Sequence, residues 1–302
     1  MVIDVHLRNL RYFVAVAEEL HFSRAAQRLH VSQPALSKQI RQLERELHLP
    51  LFRRDRRRVE LTAAGATLLP LVRQLLRDWE EASGTAAAQA SEEARVLHVG
   101  FQTSVAGGLY QDISRRFSEV HPGWRLTLRQ HPWTDPTAGL LDGSADAAVL
   151  WLPTGAEDVI DARPLRSERR LVALPREHKL ARRETLQMAD LLDEPFVALP
   201  EEAGPLRDYW LAVDHRGGRP PLIGAEASSS EETFEAVAAG QGIHLIAEGN
   251  AQLYARPDIV CRPVSDLEPS RLAIAWRRND RRDAVRDLVA AAVEAAGATS
   301  VR

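Results

Sequence analysis

Residues 23–40 read SRAAQRLHVSQPALSKQI, and their spacing decides the fold of the first part of the chain. Two short amphipathic runs meet at His30-Val31-Ser32. The first turns Ala25, Ala26 and Leu29 inward, and its two adjacent alanines allow close approach of a neighbouring helix; Ser23 is the residue expected to cap it. Ser32 is a good N-cap for the second, whose apolar face is Ala35, Leu36, Ile40, Leu43 and Leu47. Pro34 is tolerated in the first turn because its missing N–H would be unpaired there anyway. A core-forming helix needs one apolar stripe, yet the opposite face carries Gln33, Ser37, Lys38 and Arg41 at regular spacing. Those side chains are suited to reading something outside the protein.

The flanks complete the unit. Leu7, Leu10, Phe13, Val14, Ala17 and Leu20 recur at spacings of three and four, which predicts a preceding helix. After Pro50, the pairs Leu51-Phe52 and Val59-Glu60-Leu61 flank RRDRRR, which reads as a short β-hairpin with a basic tip. Thr62 is placed to cap a long helix with an apolar stripe of Leu68, Leu69, Leu71, Val72, Leu75, Leu76 and Trp79, wider than one small domain needs. Pro70 inside it should bend it or cost a hydrogen bond. The helix is expected to fade into a hinge over SGTAAAQASEEA, residues 83–94.

A helix of about 12 Å diameter fits the major groove of B-DNA, and a helix–turn–helix places the N-terminal half of its second helix there. Gln pairs with adenine, Lys and Arg favour guanine, Ser serves either role and Pro34 can touch a thymine methyl. Ser32 sits at the same helix end. Arg53, Arg54 and Arg56 in the hairpin suit phosphate or a minor groove. Charge supports this. Residues 1–60 hold 12 Lys+Arg against 7 Asp+Glu, whereas the remaining 242 hold 27 against 35, so a basic head precedes an acidic body. A plain three-helix bundle with a solvated polar face explains the pattern of periodicity, but not its combination with the basic tip and the charge asymmetry.

From Val96 the pattern changes. VLHVGF alternates like a strand, a helix is expected over 109–120, a strand over 125–129, a helix near 137–141 and a strand over 145–150. A second set follows: LVAL, LLDEPFVAL, PLIGAEA, a helix over EETFEAVAAG, then GIHLIAE, IVCRPV, RLAIAW and a last helix from Arg281. Alternating strands and helices predict parallel α/β sheets in two units.

Other classes of function find little support. Of GxSxG, HExxH, GxxxxGK and GxGxxG none occurs, and the ten histidines show no metal-ligand spacing, so neither an enzyme nor a metal or other cofactor is expected. The single cysteine, Cys261, cannot form an internal disulfide and sits in an apolar strand, which speaks for a reducing compartment and against a redox sensor. The start, MVIDVHLRNLRYF, lacks the pattern of a signal peptide, and no run of about 18 apolar residues marks a membrane span. A cytoplasmic protein without a membrane partner is expected. A DNA-binding factor without a ligand remains a rival, since it shares the N-terminal features.

Residues 7–76, LRNLRYFVAVAEELHFSRAAQRLHVSQPALSKQIRQLERELHLPLFRRDRRRVELTAAGATLLPLVRQLL, resemble the winged helix–turn–helix of LysR-type transcriptional regulators. Phe13, Ala25, Ala26, Gln33, Ser37, Glu44, Leu51-Phe52-Arg53, Leu61-Thr62 and Gly65 all fall in place. Residues 96–291 resemble the same family more loosely, through LHVGF, RRFSEVHPGWRLTL, LLDGSADAAV, LRSERRLVALPREHKLA, MADLLDEPFV and VAAGQGIHLIAE. The resemblance implies a multidomain α+β chain: a DNA-binding domain at 1–61, a linker and dimerisation helix with hinge at 62–94, and a periplasmic-binding-protein-like effector domain at 95–302. The last would divide into subdomain I, about 95–164 and 265–302, and subdomain II, about 165–264.

It also implies the partners: double-stranded promoter DNA, a small-molecule effector and further copies of the chain, as dimer or tetramer, with RNA polymerase as a further candidate. By the same likeness the effector cleft is expected to be lined by Thr103, Ser104, Trp133 and Thr134 on one side. Trp151, Leu199, Pro200, Ser228, Ser229, Ser230 and Phe234 should face them. Serines at helix N-termini suit a carboxylate. Some family members carry an arginine near the position of Trp151 and this chain does not, which leaves a flat neutral or weakly anionic effector as open as an acid.

Overall fold

The computed structural model describes residues 5–29, 31–54, 58–103 and 108–299, and not the side chains of Arg54 and Thr299. Two compact units meet in sequence at Ser83/Gly84.

The first unit opens with three helices, α1 (Leu7–Glu19), α2 (Phe22–Arg28) and α3 (Gln33–Leu47). Phe13, Val16, Ala25, Ala26, Leu36, Ile40 and Leu43 form their shared core. The cap of α2 is His21 rather than the expected Ser23: the His21 imidazole accepts from the backbone N–H of Ser23 and Arg24. Ser32 caps α3, with Oγ 3.4 Å from the Ala35 nitrogen. Strands β1 (Phe52–Arg54) and β2 (Val59–Leu61) pair antiparallel, Arg53 opposite Glu60. The Glu44 carboxylate holds the hairpin to α3 by accepting from the N–H of Leu51 and Phe52. Helix α4 (Ala63–Ala94) starts at Thr62, whose hydroxyl donates to the Pro50 carbonyl at 2.7 Å and accepts from the Gly65 N–H at 3.0 Å. Gly65 is required there, since a Cβ would stand 2.3 Å from the Leu51 carbonyl oxygen. The helix runs through Pro70 and does not fade over residues 83–94 as the composition suggested; alanine-rich sequence favours helix enough to carry it to Ala94.

The second unit holds two lobes. In the first, β3 (Val96–Phe101), β4 (Arg125–Gln130), β5 (Ala147–Leu152), β6 (Ile160–Glu168) and β12 (Ser270–Arg277) form one sheet in the order β4-β3-β5-β12-β6. Helices α5 (Tyr110–Val120) and α9 (Asp283–Thr299) pack together, with His121 Nε2 2.9 Å from Asp287. The second lobe pairs β7 (Arg170–Pro175) between β10 (His244–Ala247) and β11 (Ile259–Pro263), while β8 (Pro195–Ala198) runs parallel to β9 (Leu222–Glu226). A bridge from Phe196 to Ile243 links the two groups. Helices α6 (Pro205–Trp210), α7 (Ser230–Ala238) and α8 (Glu248–Leu253) accompany them.

The sheets are mixed, not parallel throughout. Strand β12 is antiparallel to β5 and β6, and β7 is antiparallel to β10 and β11. The reason is connectivity: β12 returns from the second lobe and inserts between strands already laid down. Strand β6 was not foreseen, because its charged sequence IDARPLRSE hides the alternation. The helix expected near 137–141 is a set of turns. They lie against Gly100, where a Cβ would be 1.9 Å from the Ala138 carbonyl oxygen.

Candidate functional site

The outward face of α3 is built by its inward one. Because Leu36, Ile40 and Leu43 are fully buried, helical periodicity turns Gln33, Pro34, Lys38 and Arg41 to solvent, all exposed, with Ser37 half-buried between them. Arg41 Nε donates to the Ser37 carbonyl at 3.2 Å, which lays its side chain back along the helix. Ser32 is exposed at the start of the same face. Arg53 is exposed on the hairpin, and Arg58 lies just before β2. Arg56 and the Arg54 side chain lie outside the described residues. Arg45 and His48 extend the basic face toward the C-terminus of α3, where they line a shallow groove with Lys38 and Arg41; neither was singled out from the sequence, although Arg45 is one turn beyond Arg41.

In the second unit, Thr103, Trp133, Trp151, Leu199, Ser230 and Phe234 surround one cavity of about 20 Å³, room for about one water. The expected lining residues Thr134, Pro200, Ser228 and Ser229 are half-buried and not part of its wall, and Ser104 lies outside the described residues. Ser228 and Ser229 work locally. The Ser228 hydroxyl donates to Glu232 and the Ser229 hydroxyl accepts from the Glu232 N–H, capping α7. The wall also takes Trp210 from α6, Thr233 from α7, His244, Leu245 and Ile246 from β10, Asn250 from α8, and Tyr254. These were missed because β10 and α8 reach the cavity through sheet order, which no local pattern reports.

Among the described residues, two hydrogen bonds cross between the lobes at this point. The Trp133 N–H donates to the Ser228 carbonyl at 2.8 Å and the Tyr254 hydroxyl donates to the Thr103 carbonyl at 3.1 Å. Trp151 Nε1 donates to Thr103 Oγ1 at 3.2 Å, and its ring meets that of Trp210 edge-on, centroids 5.8 Å apart. Phe234 and Tyr254 stack at 4.9 Å.

Among the described residues, Trp133 Nε1 and Ser230 Oγ are buried without a hydrogen-bond partner. The Ser230 hydroxyl is near enough to the Tyr254 phenol to favour its ionised form, though no hydrogen bond of normal geometry joins them. Burial pushes the Tyr254 phenol above its usual range, and the negative charge of Glu231 adds to that. Burial lowers His244 to about 4, against a weaker opposing effect of its contact with the Val197 carbonyl. The ring is therefore neutral near pH 7, and its Nδ1–H donates to that carbonyl at 2.9 Å.

These two features, a basic helix–turn–helix with a hairpin and a two-lobed body around a cleft, are those of a DNA-binding regulator with a ligand-binding domain. Comparison with known proteins agrees. Residues 7–66 match the family description "Bacterial regulatory helix-turn-helix protein, lysR family", and residues 90–297 match "LysR substrate binding domain". The chain belongs to the LysR family: it is a DNA-binding transcriptional regulator with an effector-binding domain, of a family that is not enzymatic. It is 31% identical to the HTH-type transcriptional regulator AlsR of Bacillus subtilis (strain 168) over 288 residues, 94% of each chain. It is 34% identical to the Hca operon transcriptional activator HcaR of Escherichia coli (strain K12) over 291 residues, 95% of this chain and 96% of that one. The crystal structure of full-length BenM superposes with a TM-score of 0.56 at 27% identity, covering 98% of each chain.

Proposed function

We propose that α3 docks in the major groove at each half of an interrupted inverted repeat in a promoter, with the hairpin arginines on the phosphate backbone or in the flanking minor groove. The observation that carries this reading is the single exposed face of Gln33, Pro34, Lys38 and Arg41 opposite the buried Leu36, Ile40 and Leu43. Ser32, Ser37, Arg53, Arg54 and Arg56 complete the contact set. A second copy pairs through α4 and sets the half-site spacing, and two dimers make a tetramer on DNA. The working divisions are 1–61, 62–94 and 95–302, supported by the family matches on either side of the helix. A promoter target places the chain in the cytoplasm and gives it RNA polymerase as a partner.

The effector is a flat, aromatic molecule bound between the lobes. Five aromatic rings, Trp133, Trp151, Trp210, Phe234 and Tyr254, stand around the cavity and support this. A ring does not fit in about 20 Å³, so entry must part the lobes by releasing Trp133 from Ser228 and Tyr254 from Thr103. Binding then shifts the subunit arrangement through unequal affinity for two arrangements, changing promoter bending or polymerase contact. A redox-sensing alternative is disfavoured, since burial raises the Cys261 thiol to about 11, away from the reactive thiolate such sensors need.

The test has two arms. Ser37→Ala and Lys38→Ala should each weaken operator binding by about five- to tenfold in a gel-shift titration, and Lys38→Ala should also flatten the salt dependence. Unchanged affinity in both overturns the docking. A thermal-shift screen of the full chain against aromatic metabolites should yield stabilising compounds, and none across a broad library overturns the effector cleft.

A further inference from the structure

We propose that the effector is uncharged when it binds: a flat molecule with a carbonyl-type acceptor, held by the Nε1–H of Trp133 from one lobe and the hydroxyl of Ser230 from the other. The inference rests on reading the cavity as the effector site and adds the chemistry that the site selects.

Three observations carry it. First, the cavity offers unused donors. Trp133 is 5% exposed and Ser230 4%, and neither polar atom has a hydrogen-bond partner among the described residues. An indole nitrogen only donates and so demands an acceptor, and a serine hydroxyl can donate to the same one. Trp133 follows β4 in the first lobe and Ser230 begins α7 in the second. One acceptor group reaching both would bridge the lobes.

Second, among the described residues the wall has no formal positive charge. Its thirteen residues include no Lys or Arg, and its one imidazole, His244, is neutral near pH 7. Residues 104–107, Ser-Val-Ala-Gly in sequence, carry no ionisable side chain. Arg207, on α6, is committed to Glu226 at 2.7 Å and to the Leu199 carbonyl. A carboxylate taken from water into such a wall would have no counter-charge, and an isolated buried anion is strongly disfavoured.

Third, the helix end that would otherwise welcome an anion is already answered. The first turn of α7 carries Glu231 and Glu232. Glu232 takes the N–H and hydroxyl of Ser228, and the N–H of Glu232 is capped by Ser229. Glu231 imposes a negative potential on Tyr254, in the cavity wall. The partial positive charge of the helix N-terminus is thus largely offset before any ligand arrives. What remains is a site of donors without charge, lined by aromatic faces, which fits an aromatic amide, ketone, ester or quinone better than the matching acid.

The experiment uses the full-length protein at pH 7.5 and matched pairs of probes: benzamide with benzoate, 2-naphthamide with 2-naphthoate, indole-3-carboxamide with indole-3-carboxylate. Calorimetric titration is run on wild type, Trp133→Phe and Ser230→Ala, after circular dichroism has shown that both variants melt as cooperatively as wild type. The expected result is binding of at least one amide, at least about tenfold tighter than its acid, with each variant weakening the amide by about five- to tenfold. An acid that binds as tightly as its amide, and loses affinity in the same variants, overturns the charge selection while leaving the cleft as the effector site. Amide binding that neither variant alters overturns the assigned donors. No binding by any pair, while a thermal-shift library yields hits sensitive to Trp133→Phe that are all charged, also overturns the proposal. No binding and no hit at all overturns the effector reading beneath it.

Discussion

His244 shows how burial turns a common side chain into a pH liability. It is 7% exposed and its ring is lowered from 6.5 to about 4 by desolvation. A lowered histidine is bound by more protons in the unfolded chain than in the folded one, so the folded state loses stability as pH falls. The contribution is whole above pH 6.5, erodes between 6.5 and about 4, and is bounded by roughly 3 kcal/mol. Urea unfolding at pH 7.5 and pH 5 should therefore show a larger loss for wild type than for His244→Gln, whose amide can still donate to the Val197 carbonyl. Equal losses would mean that other groups carry the acid sensitivity. The serines teach the opposite lesson about single residues. Ser228 and Ser229 read as ligand contacts by type and place, yet both are spent on Glu232, whereas Ser230, one position on, faces the cavity. One helix cap separates the roles, and only the backbone angle at the cap decides which serine turns inward.

Among elements, α4 carries the clearest unfinished surface. Leu71, Leu75 and Trp79, four residues apart, are 63%, 49% and 53% exposed, an apolar row that a helix in water does not keep uncovered. A second α4 laid against it would bury all three. Replacing Leu71 and Trp79 together by Glu should therefore reduce the mass seen by light scattering at micromolar concentration to that of one chain. It should weaken operator binding by about a hundredfold or more through loss of the second half-site. The helical content should stay unchanged, because none of the three supports the core of the first unit. This stripe was legible in the sequence, as were α1, α3, the hairpin and most strands, since each advertises itself through local periodicity. Strand β6 was not, because only Ile160 and Leu165 of its charged sequence are buried, so it shows no hydrophobic alternation.

At the scale of the whole second unit, a buried ion cluster ties distant segments. Asp146, 2% exposed, accepts from Arg282 Nη2 at 2.7 Å and from the His98 N–H at 2.7 Å. Arg277 donates to the carbonyls of Leu140 and Ala145, and Arg282 to the carbonyl of Ala88 near the end of α4. Asp280 serves both arginines. Asp146→Asn leaves two buried guanidinium groups to one carboxylate and should cost about 3 kcal/mol, as breaking a buried pair does. Calorimetry should show the melting of the second unit lowered while that of the first is unchanged.

The sequence by itself determined the helix–turn–helix, its basic outer face and the alternating elements of the body, because these depend on periods of two or 3.6 residues and on capping side chains within a few positions. The cleft residues were expected from the family likeness rather than from any local period, and of them Thr103, Trp133, Trp151, Leu199, Ser230 and Phe234 line the cavity while Ser228 and Ser229 do not. Tertiary structure alone decided the antiparallel insertion of β12, the reach of Trp210, His244, Asn250 and Tyr254 into the cavity, and which polar atoms there are left without partners. Those depend on contacts between residues up to about half the chain apart, and distance along the sequence carries no record of which buried donor finds an acceptor.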